Sequence, residues 1–182
     1  RGCPHNCRFC QAASLYFPHR PKDPGVIHRT AIRSLRQTGY EDAALSALSV
    51  GDHPQLEEIV RCLMDELDRE KISLSLSSLR PGRLSRELVG NILKVRKTGF
   101  TLVPEAGTDR LRTVVNKMLD DREIREALTN LIINAVDAMV NDALKAGDAE
   151  TAQRIIDRLE TFRARYPFMD DLTSPVNAEL EV

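Results

Sequence analysis

"DAALSALSVGDHPQLEEIVRCLMDELDREKISLSLSSL" (residues 42–79) changes its apolar period twice, and those changes decide the fold. The first part, "DAALSALSVGD" (42–52), alternates small and apolar residues and stops near Gly51, the pattern of a buried strand. "PQLEEIVRCLMDELDREK" (54–71) opens on Pro54 and then places Leu56, Ile59, Val60, Leu63, Met64 and Leu67 at helical spacing. "ISLSLSSL" (72–79) returns to period two and predicts a second strand. Two strands joined by a helix of this length pair in parallel through a right-handed crossover. The predicted class is α/β.

The alternation extends both ways. After an irregular, proline-rich connection at 16–26, "IHRTAIRSLRQTG" (27–39) predicts a helix with Ile27, Ala31, Ile32 and Leu35 on one side and Gly39 as its C-cap. Downstream, "SRELVGNILKVRKTG" (85–99) predicts a helix capped by Ser85, "FTLVPEAGT" (100–108) a third strand, and "DRLRTVVNKM" (109–118) the next helix. From residue 120 no strand pattern follows. A long helix over 120–148, a break at "AGD" and a second helix over 149–166 are expected, with Pro167 opening a loose tail. The chain thus divides into an α/β part, 1–119, and a helical region, 120–182. In parallel sheets and barrels chemistry gathers at the C-terminal strand ends. The polar endings "SVGD", "SSLRPGR" and "PEAGTDR" all belong to that rim.

Composition bounds the function. With 182 residues the chain can bury roughly 70% of its unfolded surface, enough for a core without disulfides. Hydrophobic residues make up 42% and charged residues 29%, as in ordinary globular chains. A net charge of −1 gives no global basic field for nucleic acid or an anionic membrane. No apolar run reaches the length of about 18 residues that would suggest a membrane span. Four cysteines do not make a secreted disulfide scaffold of this length, so a cytoplasmic, reducing setting is expected. Arg1 stands first instead of Met, and no strand precedes the opening loop, which predicts a fragment of a longer parent.

That loop, "RGCPHNCRFC" (1–10), holds three of the four cysteines. Thiolates at C-x-x-x-C-x-x-C spacing can reach three corners of an iron–sulfur cube, leaving one iron for another ligand. Zinc sites favour a second cysteine pair that this chain lacks, although zinc or a labile thiol cluster remain the other readings. Cys62 reads as a small hydrophobe on the inner face of its helix, and His5 as a solvated loop residue more than as a ligand.

The loop "GCPHNCRFC" resembles the signature of radical S-adenosylmethionine (SAM) enzymes. The longer stretch "RGCPHNCRFCQAASLYFPHRP" is similar to an uncharacterised radical SAM family often found with a cobalamin-binding-type N-terminal domain and akin to methylthiotransferases. The similarity continues through "TGYEDAALSALSVGDHPQLEEIV", "SLSLSSLRPGRLSREL" and "RKTGFTLVPEAGTDRLRTVVNK", about residues 1–117. The resemblance implies that Cys3, Cys7 and Cys10 hold a 4Fe-4S cluster whose fourth iron is chelated by SAM. It implies further cofactor contacts: Phe9 placing backbone groups near the adenine, Gly51 and Asp52 at the methionine amino group, and Ser78 and Arg80 at the sulfonium or carboxylate. Glu105 would meet the ribose, and Arg112 a carboxylate. For each of these polar residues an ordinary cap, turn or rim ion pair is the competing reading. A reductant such as a flavodoxin or ferredoxin would supply the electron for cleavage to a 5′-deoxyadenosyl radical, which abstracts hydrogen from an unknown substrate.

The resemblance also implies more strands than the pattern supplies. The expectation is therefore a partial (βα) barrel lacking its first and last strands, whose open edge is covered by the C-terminal helices or by a partner. The rival reading is a non-catalytic metal-binding or scaffold protein, favoured if residues 120–182 fill the rim where substrate must sit. "LTNLIINAVDAM" (128–139) resembles the Asn-containing helix of sensor-kinase ATP-binding domains. The accompanying glycine-rich boxes are absent, so a packing helix is the expected role of Asn134 and its neighbours.

Overall fold

The structure, a computed structural model, describes residues 1–96 and 98–167. The expected tail, 168–182, lies outside the described residues. The chain is α/β with a parallel pair of strands and helices around it. α1 is a single short helix, Ala12–Leu15, followed by α2, Pro24–Thr38. α2 starts three residues before the predicted helix because Asp23 caps it, its carboxylate accepting from the Val26 amide at 3.0 Å, with Pro24 in the first turn. Its end is as expected: Gly39 takes a left-handed φ of 71° and donates to Leu35 O.

β1 (Asp42–Leu45), α3 (Leu56–Leu67) and β2 (Ser73–Leu76) form the predicted strand–helix–strand unit, with Asp42 opposite Ser73 and Leu45 opposite Leu76. β1 is shorter than expected. The polypeptide leaves the ladder after Leu45 and curls into a 3-10 turn at Val50–Asp52. α3 turns Ile59, Val60, Leu63, Met64 and Leu67 inward, where they pack with Leu35, Ile72 and Leu74 as the main core. Each fully buried side chain of this kind contributes about 1.5–3 kcal/mol. Cys62 is half-buried on the same helix.

α4 (Arg86–Leu93) follows a 3-10 turn at Pro81–Arg83, and Ser85 caps it as predicted by accepting from the Leu88 amide. The predicted third strand at 100–108 is absent among the described residues. Phe100 and Leu102 still alternate inward against Leu84, Val89 and Ala127, as strand residues would. However, Pro104 has no amide donor, and the Val103 carbonyl, which a ladder would need, accepts from Lys117 Nζ at 2.8 Å. α5 (Asp109–Val114) is a short helix capped by Thr108.

α6 (Asp121–Lys145) and α7 (Ala149–Arg165) match the two predicted C-terminal helices. α6 begins with a capping box: Glu123 N donates to Asp120 at 2.7 Å, and Asp120 N to Glu123 at 2.9 Å. It rests on α4 and the Pro81–Arg83 turn, and α7 packs back on it through Val136, Val140, Ala143, Ala152, Ile156 and Leu159. Asn134 is buried and donates to Asn130 O and Arg86 O, the packing role expected of it.

Candidate functional site

A cavity of about 480 Å³ opens where the cysteine loop meets the ends of β1 and β2 and the segment 99–105. Cys3, Cys7 and Cys10 all line it. So do Phe9, Ser78, Arg80 and Glu105, which puts all three polar chain endings at one place. A larger hollow of about 830 Å³ lies between α2 and β1; it shares Leu48 and Ser49 with this cavity but touches none of the cysteines.

The loop is fixed at its base. Arg1 and Arg20 exchange backbone hydrogen bonds, each 2.7 Å long, so that residues 1–20 close on themselves. Gly2 is required at this closure: its φ is 88°, and a Cβ would stand 2.7 Å from Tyr16 O. Within the loop Cys10 N donates to Cys7 O at 3.0 Å, and Cys10 Sγ accepts from the Ala12 amide at 3.5 Å. His5 is half-buried on the cavity lining it shares with the cysteines, and its ring is engaged within the chain. Its Nε2 lies 2.6 Å from Asp52 Oδ2, which also accepts from the Ser49 hydroxyl at 2.5 Å, while Arg83 Nε stands 3.5 Å from Oδ1. Burial opposes ionisation of Asp52, but Ser49, His5 and Arg83 outweigh it and hold the carboxyl below its ordinary range.

The other predicted residues divide into two groups. Phe9 is exposed on the cavity wall. Ser78 and Glu105 line it with left-handed backbone, φ 59° and 68°, conformations that cost a non-glycine residue energy and cluster at functional sites. Arg80 points along the wall and donates to Met118 O at 2.6 Å. Glu105 pairs with Lys117 at 2.8 Å. Gly51, by contrast, is buried against Arg83, whose Cβ would lie 3.1 Å from a Cβ at this glycine. It lies outside the cavity lining.

Arg112, expected to meet a carboxylate, meets two carboxylates of its own chain. Its guanidinium is buried and already filled by this chain: it donates to Leu119 O at 2.7 Å, to Ala106 O at 2.8 Å, and to the carboxylates of Asp109 and Asp121. It holds the end of the 99–108 segment instead of facing the cavity.

Three contributors escaped the sequence reading. Lys117 lines the cavity and ties Val103 and Glu105 together. Asn116 Nδ2 donates to Asn6 O at 2.7 Å, and Arg8 N donates to Val115 O at 2.9 Å. Asn116 has φ 54°, and an asparagine just past a short helix was a signal for such a left-handed end. Nothing local marked His5 as the partner of Asp52.

Among the described residues no three His, Cys, Asp or Glu side chains converge closely enough for one metal ion. The three loop thiols are nonetheless unpaired and share one cavity. A donor set made only of soft thiolates suits iron–sulfur chemistry better than magnesium or calcium, so these residues fit a cluster in donor type and number. The lining adds an aromatic face, two cations and a carboxylate, a set able to hold a zwitterionic nucleotide-like molecule.

An uncharacterized protein of Methanocaldococcus jannaschii is 36% identical to the chain over 128 residues, which takes in 70% of this chain and 27% of that protein. No solved structure matches. The family described as Radical SAM superfamily matches residues 1–161, through α6 and most of α7 and so beyond the motifs that end near residue 117. With that match over most of its length, the chain belongs to the Radical SAM superfamily.

Proposed function

We propose that this chain carries the cluster site and part of the cofactor site of an enzyme that cleaves SAM reductively and abstracts hydrogen from a substrate. The observation that carries this reading is the meeting of Cys3, Cys7 and Cys10 with Phe9, Ser78, Arg80 and Glu105 around one cavity. Cys3, Cys7 and Cys10 would hold the 4Fe-4S cluster. When bound, that cluster supplies one electron to the sulfonium of SAM, which releases the 5′-deoxyadenosyl radical.

The chain's own residues bind and orient. Phe9 offers a flat face to the adenine, and Glu105, steadied by Lys117, accepts from ribose hydroxyls. Arg80 lies where it can meet a carboxylate once its contact with Met118 O is exchanged. The turn that follows β1 serves the amino group through Ser49 and the backbone around Asp52, since the Asp52 carboxylate is engaged by His5 and Ser49. The electron would come from a flavodoxin or ferredoxin. Residues 1–119 would form the partial (βα) core, followed by a C-terminal region, 120–182, whose described part is α6 and α7, with a partner covering the remaining sheet edge.

A non-catalytic scaffold is the less favoured reading. It requires the C-terminal helices to fill the rim, yet among the described residues the cavity lining ends at Lys117. The test is anaerobic reconstitution with iron and sulfide, followed by electron paramagnetic resonance and an assay for 5′-deoxyadenosine. A 4Fe-4S signal perturbed by SAM is the expected result. Stoichiometric zinc that resists exchange for iron overturns the proposal.

A further inference from the structure

The cysteine loop is gripped from two sides by residues that are not ligands. On one side, Asp52 in the 3-10 turn that follows β1 takes His5 at 2.6 Å. On the other, the end of α5 takes Asn6 and Arg8: Asn116 donates to the Asn6 carbonyl at 2.7 Å, and Val115 O accepts from the Arg8 amide at 2.9 Å. These contacts fall at positions 5, 6 and 8, between the first and last cysteines. They span 47 and 110 residues of sequence, so neither is a product of local turn formation.

The two grips differ in chemistry. The Asp52 carboxylate is almost fully enclosed, with 4% of its side chain exposed, and has Ser49 and Arg83 beside it to fix its orientation. A buried carboxylate held by three partners is a rigid post. Asn116 reaches its position through left-handed backbone, which asparagine tolerates better than most residues and which aims its amide across at the loop.

We propose that Asp52 and Asn116 are positioning residues that clamp the cysteine loop, presetting the arrangement of Cys3, Cys7 and Cys10 before any iron arrives. This rests on the reading of those cysteines as cluster ligands. A loop held in advance meets the entropy cost of ordering during folding, leaving less to be met when the cluster assembles. Asp52 acts through His5, and Asn116 through the Asn6 carbonyl.

The experiment reads the metal-free loop directly. In the iron-free full chain, iodoacetamide labelling of Cys3, Cys7 and Cys10 is timed by mass spectrometry, with Cys62 as the internal gauge of general unfolding. His5→Ala should speed labelling of the half-buried Cys3 and Cys7 by about tenfold, the worth of one partly buried hydrogen bond, and Asn116→Ala by about threefold, because its bond to Asn6 O is exposed; Cys62 and the already exposed Cys10 should stay near their parent rates. His5→Gln keeps a donor that can reach Asp52 and should restore a rate near the parent's. After reconstitution, His5→Ala and Asn116→Ala should also give broadened cluster resonances at a lower iron content. Loop labelling within twofold of the parent in both alanine variants overturns the clamp, as does acceleration at Cys62 equal to that of the loop. A parent chain that takes up no iron overturns the cluster reading instead, and leaves the labelling comparison to decide the clamp.

Discussion

In the α2–β1–α3–β2 unit, Leu63, Met64 and Leu67 are sealed against Leu35, Ile72 and Leu74. Residues 98–119 are assembled differently. Besides the apolar contacts of Phe100 and Leu102, the buried Leu119 and the two hydrogen bonds to the cysteine loop, that segment is held by cations reaching for backbone oxygens: Arg112 to Leu119 and Ala106, Lys117 to Val103, Arg80 to Met118. The first region is specified by apolar volume distributed over many side chains. The second depends on a few donors, each of which organises several partners. Volume tolerates small errors, whereas a single arginine that holds two carboxylates and two carbonyls has no substitute.

The contrast can be broken most forcefully in the first region. Leu63→Ala removes a fully buried side chain and should cost about 2–5 kcal/mol in a urea or guanidinium denaturation, as a global loss seen by every probe. Arg112→Met should act the other way, loosening 98–119 while the α/β unit stays folded. Hydrogen exchange would then quicken at 100–119 and stay constant in α3; uniform quickening of both would erase the distinction. Asp120→Ala tests the junction between the second region and α6. Loss of the capping box should cost about 1 kcal/mol and fray the first turn of α6, read by denaturation and helical circular dichroism.

The smallest expected effect sharpens the boundary between the two regions. Asp52 has its carboxyl held below the usual range in the folded chain, so its contribution is complete above about pH 4 and is lost as pH falls through the folded value. The stability gap between the parent and Asp52→Asn should therefore narrow between pH 7 and pH 3. A gap that stays constant over that range would show that the carboxylate is not stabilised by His5, Ser49 and Arg83.

The same contrast explains what could be read in advance. Leu56, Ile59, Val60, Leu63, Met64 and Leu67 announce α3 because burial writes a period into the sequence. Asp120 with Glu123 and Asp148 with Thr151 mark the starts of α6 and α7 because caps are local. "FTLVP" carries the period of a strand, and its side chains do alternate inward, but no residue within it reveals that Lys117 takes the Val103 carbonyl. Cys3, Cys7 and Cys10 were visible as one motif, and the polar strand endings pointed to their rim. Arg112 looked like a ligand clamp because its charge is legible while Asp109 and Asp121, its actual partners, are identified only by folding. His5 and Asp52, separated by 47 residues, are a pairing of the same kind.

The contact between Asn116 and the Asn6 carbonyl also sets an order of events in time. Synthesis proceeds at about 5–20 residues per second, so the 110 residues between them take roughly 5–20 s to make. Throughout that interval the cysteines have been made but lack their second tether. They precede that tether in the sequence, and so face the surrounding redox buffer as free thiols until Asn116 has been made.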